Sequence, residues 1–448
     1  MKVVIIGTGY VGLPTGVGLA ELGHEVVCVD REASKISKLQ AGITTLYEEG
    51  LAELLQKNIA AKRISFTTSL ADSMPGAALV IIAVGTPPHP VTQEADLRYL
   101  YAAATELAPY LKEYTVVANK STVPVGTGDM IVNLISKTNP QASFEVVSLP
   151  EFLREGYAVY DFFNPDRIVV GTDDERARNL IGELYAPLLE RLHQEGKDTK
   201  LLLVNRRSSE TIKYASNSFL ATKIHFINEM ANFCEKTGAN IYEVAHGMGL
   251  DKRIGSSFLN PGPGFGGSCF PKDTLALDFM ARQNNVEMTL VHSTIVGNQA
   301  RIASMAERIL KAFNPLNQEP TIGVLGLAFK NGTDDCRVSP AMQILNHLLE
   351  QQPQLKLRVF DPQAMENAKL ILFPYGERIH YCASMNEVAE QSDVLAILTE
   401  WPEFKDFDLA QAALSMKAKV IVDCRNLLDS SQAKALGFTY QGIGLPQA

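Results

Sequence analysis

Cys269 stands in the most informative stretch of the chain, Asn260-Pro-Gly-Pro-Gly-Phe-Gly-Gly-Ser-Cys-Phe-Pro-Lys-Asp273. Proline and glycine dominate residues 261–267, which excludes a helix or a central strand there. So glycine-rich a loop suggests backbone amides lying against a ligand. A thiol beside a lysine and at the start of a helix ionises readily, and that is how a nucleophilic cysteine is made. Lys272 and Asp273 follow within four residues. Taken by itself, a structural cysteine behind a tight loop fits this stretch equally well. Lys213 and Asn217 lie four residues apart in a helical pattern, so they share one face. An ammonium and an amide on one face can hold a developing oxyanion. Alone, the pair reads more simply as a solvated lysine and a packing asparagine; beside Cys269 it gains weight.

Three further stretches follow apolar runs that read as strands: Gly85-Thr86-Pro87, Lys120-Ser-Thr-Val-Pro-Val-Gly-Thr127 and Pro150-Glu-Phe-Leu-Arg-Glu-Gly156. In doubly wound sheets the carboxyl ends of the strands line the ligand crevice. Glu151 or Glu155 could there act as a base or position a water. Thr86 and Ser121 serve equally well as caps and turns. Gly7-Thr-Gly-Tyr-Val-Gly12 matches G-x-G-x-x-G between a strand and a helix, the context that the motif requires. Gly7 permits the tight turn, Gly9 lets backbone approach a pyrophosphate, and Gly12 lets helix and sheet pack closely. Asp30 lies 18 residues past Gly12, at the end of the second strand. An acid there accepts the adenosine ribose hydroxyls and favours NAD over NADP, although Arg31 beside it could tolerate a 2′-phosphate. The eight histidines show no ligand spacing, and no metal is expected.

These groups need elements to carry them. Val3–Ile6, Glu25–Val29, Leu79–Val84, Thr115–Ala118 and Glu145–Ser148 read as buried strands, alternating with helical stretches such as 11–22 and 97–111. Such alternation implies a parallel sheet with right-handed crossovers. Residues 209–238 run without proline and end on a glycine, which predicts a helix about 45 Å long. The polar stretches 193–200 and 313–320 read as connections. Beyond them, Thr321–Leu325, Leu355–Phe360, Val394–Leu398 and Lys419–Val422 repeat the strand logic, with a degraded glycine motif at Gly323 and Gly326. The expected fold is α/β: two Rossmann-like doubly wound parallel-sheet domains joined by a long central helix and an all-helical middle domain. The expected boundaries are 1–200, 201–312 and 318–448. The third domain suits the nucleotide part of a substrate better than a second dinucleotide, and a purely structural repeat fits nearly as well.

The 448 residues are enough for roughly three domains without disulfides or metals. Lys plus Arg number 41 against 50 Asp plus Glu, a net charge of −9, which argues against a nucleic-acid surface. There is no apolar run long enough to span a membrane and no secretory leader pattern. The six scattered cysteines, with no C-x-x-C pair, are therefore expected to be reduced thiols in a cytoplasmic protein.

Together these motifs resemble the UDP-glucose/GDP-mannose dehydrogenase family. GTGYVG, GTPP, KSTVPVGT, PEFLREG, NPDR, IKYASNSFLATK, GFGGSCFPKD, GLAFKNGTDD, TEWPEF and DCRN follow in the family's order over nearly the whole chain. GFGGSCFPKD is by far the most specific of them. Within the family the pattern is most similar to the members that oxidise UDP-glucose at C6. The resemblance implies a four-electron oxidation with NAD, through a thiohemiacetal and a thioester on Cys269, that releases the uronic acid. It implies that Lys213 and Asn217 stabilise the oxyanion, that Asp273 orients a water or the lysine, that Glu151 assists hydrolysis and that Thr122 positions a water. It places Gly7, Gly9, Tyr10, Val11, Gly12, Asp30, Lys35, Thr86, Ser121, Thr122, Glu155, Lys272 and Arg337 around NAD. It places the UDP-sugar against Glu151, Phe152, Leu153, Arg154, Glu155, Lys213, Asn217, the loop residues Phe258, Leu259, Asn260, Pro261, Gly262, Phe265 and Gly266, and Lys330. Arg253 would reach the site of a partner subunit, so a homodimer is implied.

Three positions depart from the family's usual pattern: Leu149 in place of Asn, Tyr157 in place of a small residue, and Val338 in place of Glu. The first two adjoin the expected site and bear on sugar preference. Competing readings are the same chemistry on UDP-N-acetylhexosamine or GDP-mannose, a two-electron β-hydroxyacid dehydrogenase, and an NAD-sensing scaffold. One oxidation needs no nucleophile, and a scaffold needs no combination of Cys269, Lys213 and Asp273.

Overall fold

The computed structural model of the chain describes residues 1–89, 94–313 and 320–446. Residues 314–319 of the expected connection, and with them the expected start of the third domain at 318, lie outside the described residues. The chain divides into two compact units, 1–216 and 217–448.

In the first unit β1 (Lys2–Ile6), β2 (Glu25–Val29), β3 (Ile64–Thr67), β4 (Leu79–Ile82), β5 (Thr115–Asn119), β6 (Phe144–Ser148), β7 (Arg167–Gly171) and β8 (Lys200–Val204) form one sheet. Its order is β3-β2-β1-β4-β5-β6-β7-β8. All neighbours are parallel except β6 and β7, which meet antiparallel at Ser148 and Gly171. β4 and β5 are buried at every residue, as expected for parallel strands covered on both faces. Leu13, Val17, Leu51 and Leu55 pack with one face of the sheet; Leu100, Ala104, Leu107, Ile131 and Ile135 pack with the other. The order reverses between β1 and β4. The glycine turn after β1 and the Gly85-Thr86-Pro87 loop after β4 therefore share the switch-point end of the sheet.

The glycine motif is explained atom by atom. Gly7 has φ +102°, and a Cβ on it would lie 2.5 Å from the Ala83 carbonyl oxygen. A Cβ on Gly12 would lie 2.0 Å from the Gly7 carbonyl oxygen and 3.3 Å from Ala83 Cβ. Gly12→Ala must therefore push the helix Gly12–Glu21 off the sheet. The expected cost is about 3 kcal/mol, together with lost NAD affinity; a thermal melt and an NAD titration check both.

In the second unit β9 (Thr321–Leu325), β10 (Lys356–Phe360), β11 (Ile379–Tyr381), β12 (Val394–Ile397), β13 (Val420–Asp423) and β14 (Thr439–Gln441) form an all-parallel sheet of order β11-β10-β9-β12-β13-β14. Its strands repeat the 3-2-1-4-5-6 winding of the first six strands of the first sheet, so the weak repeat in sequence is a full repeat in topology. Ile227, Ala231, Ile241, Ile302 and Met305, from the helical segment, belong to the same apolar core as Ile322, Val324 and Leu395 of this sheet.

Three expectations change here. β8 (Lys200–Val204) closes the first sheet, so that domain does not end at 200, and the segment from 201 is not all helical. Lys200 opens a strand instead of ending a connection, because parallel pairing with β7 recruits a run whose own side chains are half exposed. The helical segment from 217 to 312 shares an apolar core with the second sheet and falls in one compact unit with it. The strands β3, β7, β11 and β14 were not expected; β3, β11 and β14 are edge strands of three or four residues, and β7 lies between β6 and β8. The long helix does form, as Arg206–Thr237, and Gly238 at φ +78° ends it with its N–H on the Cys234 carbonyl.

Candidate active site

The first unit builds a buried charge cluster beyond the ends of β5 and β6. Glu151, two residues past the Leu149 that follows β6, is 5% exposed. Lys213, on the long helix and 4% exposed, donates from Nζ to Glu151 Oε1 at 2.8 Å and to the Glu151 carbonyl at 2.7 Å. The Leu153 amide donates to Glu151 Oε2 at 2.6 Å. Burial works to raise the Glu151 pKa. The Lys213 charge and hydrogen bond, the Leu153 amide and the Lys120 charge together outweigh it and hold the carboxyl below its usual range. Phe152 lies beneath the Arg167 guanidinium at 3.9 Å and has Lys213 Nζ 5.3 Å from its ring centre.

Lys120 was not among the expected site residues. It is 6% exposed, and burial, helped by the Lys213 charge and opposed by that of Glu151, pushes its ammonium down to about 8. No spacing in sequence announces a lysine that becomes buried at the end of β5. Its ordinary value is 10.5, so between pH 8 and 10.5 the unfolded chain holds a proton that the folded chain has released. Stability gained from this group therefore rises with pH through that window, by about 3 kcal/mol in all. Lys120→Met should flatten that rise relative to wild type in urea unfolding at successive pH values.

The neighbouring loops are pinned from below. Glu210, 4% exposed on the long helix, accepts the Gly126 and Gly128 amides at 2.6 and 2.8 Å and the Ser148 hydroxyl at 3.3 Å. Burial keeps its carboxyl above the usual range even so. Glu48 accepts the Gly156 and Ala158 amides at 2.7 and 2.9 Å and so fixes the end of the Pro150–Gly156 loop. Thr86 donates to the Thr122 carbonyl at 2.7 Å, and Ser121 to the Val84 carbonyl at 2.8 Å. Asn119, Ser121, Thr122, Val123, Ser148, Pro150, Glu210 and Lys213 line one small cavity. Arg154 lies at the surface, paired with Asp161 at 2.6 Å.

The glycine turn fits a dinucleotide. No atom lies within 4 Å of where a Gly9 Cβ would be, and no side chain caps the helix Gly12–Glu21. That leaves the positive end of a helix open to a phosphate. Asp30 Oδ2 accepts the Thr8 amide and hydroxyl at 3.0 and 2.7 Å, Oδ1 accepts the Glu32 amide at 3.1 Å, and Lys35 stands 3.5 Å away. Burial raises its pKa, but these bonds and the Lys35 charge outweigh it and hold the carboxyl below its usual range. Arg31 is paired with Glu106.

In the second unit Cys269 is the N-cap residue of the helix Phe270–Gln283. The other five cysteines are buried, whereas Cys269 is half-exposed. Ser268 Oγ lies 3.5 Å from its sulfur. Asp273, fully buried one turn on, accepts the Asn217 amide at 2.6 Å through Oδ2 and Lys272 through Oδ1. The lysine next to the thiol in sequence is thus engaged with Asp273. The Asp273 carboxylate aims Asn217.

The glycines of the loop before Cys269 also meet protein atoms. A Cβ on Gly266 would lie 2.3 Å from the Val338 carbonyl oxygen, one on Gly267 2.7 Å from the Phe329 ring, and one on Gly262 2.8 Å from Arg425 Nη1. A cradle that the sequence reading missed grips this loop. Asn228 Oδ1 accepts the Gly262 amide at 2.8 Å, Arg301 Nε donates to the Gly262 carbonyl at 3.0 Å, and Asn298 bonds both the amide and the carbonyl of Phe265 at 2.8 and 2.9 Å. Arg301 is 4% exposed, and burial pushes it down to about 10. The only clue in sequence is polar residues in helical stretches that otherwise pack inward.

Elsewhere in this unit Arg337 is paired with Asp335 at 2.7 Å, and Lys330 Nζ lies 5.5 Å from the Phe329 ring centre. The Arg253 side chain is 90% exposed, with Asp251 at 2.6 Å. Of the three departures, Leu149 is fully buried in the apolar core. Tyr157 stacks under Arg154 at 5.3 Å. Val338 has φ +49°, an unfavourable backbone for a β-branched residue.

Comparison with known proteins matches the chain in three stretches. Residues 1–189 match the NAD binding domain of the UDP-glucose/GDP-mannose dehydrogenase family, residues 207–300 its central domain, and residues 323–430 its UDP binding domain. The chain is 46% identical to UDP-glucose 6-dehydrogenase of Rhizobium meliloti over 448 residues, covering 100% of both chains. It is 42% identical to UDP-glucose 6-dehydrogenase TuaD of Bacillus subtilis, covering 99% of this chain and 93% of that one. Among solved structures it is similar to a UDP-glucose dehydrogenase from Pyrobaculum islandicum, with a TM-score of 0.88, 36% identity, and coverage of 99% of this chain and 98% of that one. It is also similar to UDP-D-ManNAc dehydrogenase from Pyrococcus horikoshii, with a TM-score of 0.85, 27% identity and 99% coverage of both chains.

Proposed function

The chain belongs to the UDP-glucose/GDP-mannose dehydrogenase family, and from that premise we propose that it is an NAD-dependent oxidoreductase that converts UDP-glucose to UDP-glucuronate. The observation that carries the four-electron course is Cys269, the half-exposed thiol at the start of a helix. When bound, NAD would supply the hydride acceptor for both oxidations, and Gly7, Gly9, Gly12 and Asp30 would hold it by the turn and carboxylate already described, with Lys35 beside them.

The C6 alcohol first loses a hydride and a proton to become an aldehyde. Cys269 adds through sulfur, giving a thiohemiacetal that retains the reactive carbonyl on the protein. Loss of a second hydride and the hydroxyl proton gives a thioester. Water then cleaves the C–S bond, releasing the carboxylic acid and restoring the thiol. Lys213 and Asn217, one turn apart on one helix, donate to the oxygen as negative charge develops there. Thr122 positions a water, and Glu151, kept ionised by Lys213, assists the hydrolytic water. Asp273 fixes the Asn217 amide, since a carboxylate on its donor prevents rotation of the amide away from substrate. The loop 258–266, Lys330 and the 151–155 segment bind the UDP-sugar, and Thr86, Ser121, Glu155, Lys272 and Arg337 adjoin the cofactor.

Arg253, exposed in one chain, completes the site of a second copy in a homodimer; sedimentation of wild type tests the assembly. No helix among the described residues is long and apolar enough to cross a membrane; we place the enzyme in the cytoplasm, where its thiols stay reduced.

The test is to mix pure protein with UDP-glucose and NAD and count NADH per sugar consumed. Two per sugar is expected. One per sugar overturns the thioester course in favour of a simple dehydrogenase. Oxidation of UDP-N-acetylhexosamine or GDP-mannose in preference to UDP-glucose overturns the substrate and keeps the chemistry.

A further inference from the structure

Among the described residues, one set of three His, Cys, Asp or Glu side chains brings its ligand atoms together, and it lies outside the chemistry above. His380 is in the edge strand β11, Cys382 follows two residues later, and Glu387 is in the short helix Met385–Ala389. The imidazole, thiol and carboxylate ligand atoms all lie within 4.8 Å of one another. His380 Nε2 and Glu387 Oε1 are 2.9 Å apart. Residues two apart along a strand direction project to the same side, which is how His380 and Cys382 come to face Glu387. The geometry points to a binding site for a thiophilic divalent cation, zinc by its chemistry, held by His380 Nε2, Cys382 Sγ and a Glu387 carboxylate oxygen.

The donor set selects the metal class. One nitrogen, one sulfur and one oxygen suit zinc, whereas magnesium and calcium take oxygen alone. Two ligands bound to one zinc at about 2.0–2.3 Å stand roughly 3–4 Å apart, so the His380–Glu387 pair already has that separation. Cys382 Sγ lies within 4.8 Å of both ligand atoms, and the His380 side chain is 54% exposed. Cys382 is 3% exposed and forms the floor of the site, while the Glu387 side chain, at 30%, and His380 form its open rim. Water reaches the fourth tetrahedral position from the sheet edge. Glu387 is prepositioned: the Ala383 amide donates to its Oε2 at 2.8 Å, and the Ser384 hydroxyl accepts the Glu387 amide at 3.2 Å.

Charged groups around the site act on a bound cation. Arg358 of β10 donates to the Glu387 carbonyl at 2.7 and 3.1 Å and stands 3.6 Å from Glu387 Oε1, so it opposes a cation. Glu390, 3.7 Å from Arg358, offsets part of that charge. A bound zinc takes the Cys382 sulfur as thiolate. The bound ion ties the edge strand to the following helix and stabilises the folded chain by mass action. The edge of a sheet is where a strand frays first, which gives such a tie an effect on stability.

The test uses full-length Cys269→Ser protein, which removes the half-exposed thiol as a competing ligand, titrated with Co2+ and then with Zn2+. Expected is one Co2+ per chain with a thiolate-to-cobalt charge-transfer absorption, displaced by Zn2+. A second Cys382→Ser substitution should abolish the band, and His380→Ala should weaken binding at least tenfold. His380→Ala in the otherwise wild-type chain should oxidise UDP-glucose at the wild-type rate. A band that survives Cys382→Ser in a chain with a wild-type circular dichroism spectrum overturns the site. So does the absence of any sulfur-to-cobalt band, or Co2+ affinity that His380→Ala leaves unchanged.

Discussion

Cys269→Ser is expected to lower the rate of UDP-glucuronate formation by on the order of 10^4-fold or more while leaving the fold intact. A serine hydroxyl at the start of the helix Phe270–Gln283 occupies nearly the same volume, and the position is only half-buried. The nucleophile is lost because an alcohol without an adjacent base is far weaker than a thiolate. The first oxidation does not need the sulfur, so a single-turnover experiment should stop at one NADH per site or fewer, with no acyl adduct by mass spectrometry. Wild type should reach two NADH per sugar. A variant that still delivers two at close to the wild-type rate would show that the second oxidation proceeds without covalent capture.

The second large effect is at Lys213. Its ammonium is 4% exposed and is the nearest opposite charge to the buried Glu151 carboxylate, 2.8 Å away. Lys213→Met leaves that carboxylate with only the Leu153 amide and the Lys120 charge to support it, at a cost of about 3 kcal/mol. Glu151→Gln alone strands the ammonium. The double substitution should recover much of the stability, because a neutral pair needs no ion-pair compensation. Activity should behave differently: loss of one oxyanion donor lowers turnover by about 10^2–10^3-fold, and the double variant should not restore it. The pH dependence carries its own sign. A carboxyl held below its usual range contributes stability above the unfolded pKa and loses it as pH falls through the folded one. In Lys213→Met that loss moves to higher pH. Urea unfolding at several pH values tests all three statements, and equal destabilisation of the single and double variants would remove the ion pair from the account.

Much of the architecture was legible because it is written locally. Strands β1, β2, β4, β5, β6, β9, β10, β12 and β13 coincide, within a residue or two, with apolar runs, since central parallel strands are covered on both faces. Gly238 marked the end of the long helix because only a residue tolerant of positive φ fits there. The strands β3, β7, β11 and β14 were not legible because it is pairing with a neighbouring strand that makes them strands.

Residue types by themselves determined the proposed catalytic inventory: a cysteine behind a glycine loop, a lysine and asparagine one turn apart, a glycine fingerprint with its acid. They determined it because chemistry needs particular functional groups, and helical spacing alone puts Lys213 and Asn217 on one face. Only the tertiary structure decided how those groups are employed. It gave Lys213 to Glu151 and Asp273 to Asn217, buried Lys120 beside the ion pair, and turned Leu149 into the core. It also gave protein contacts to the glycine loop, whose small residues admit Val338, Phe329 and Arg425 and whose backbone is gripped by Asn228, Asn298 and Arg301. Burial and partner choice depend on which distant segments arrive at the same place, and a buried charge selects its counter-ion over distances in sequence that no local pattern records.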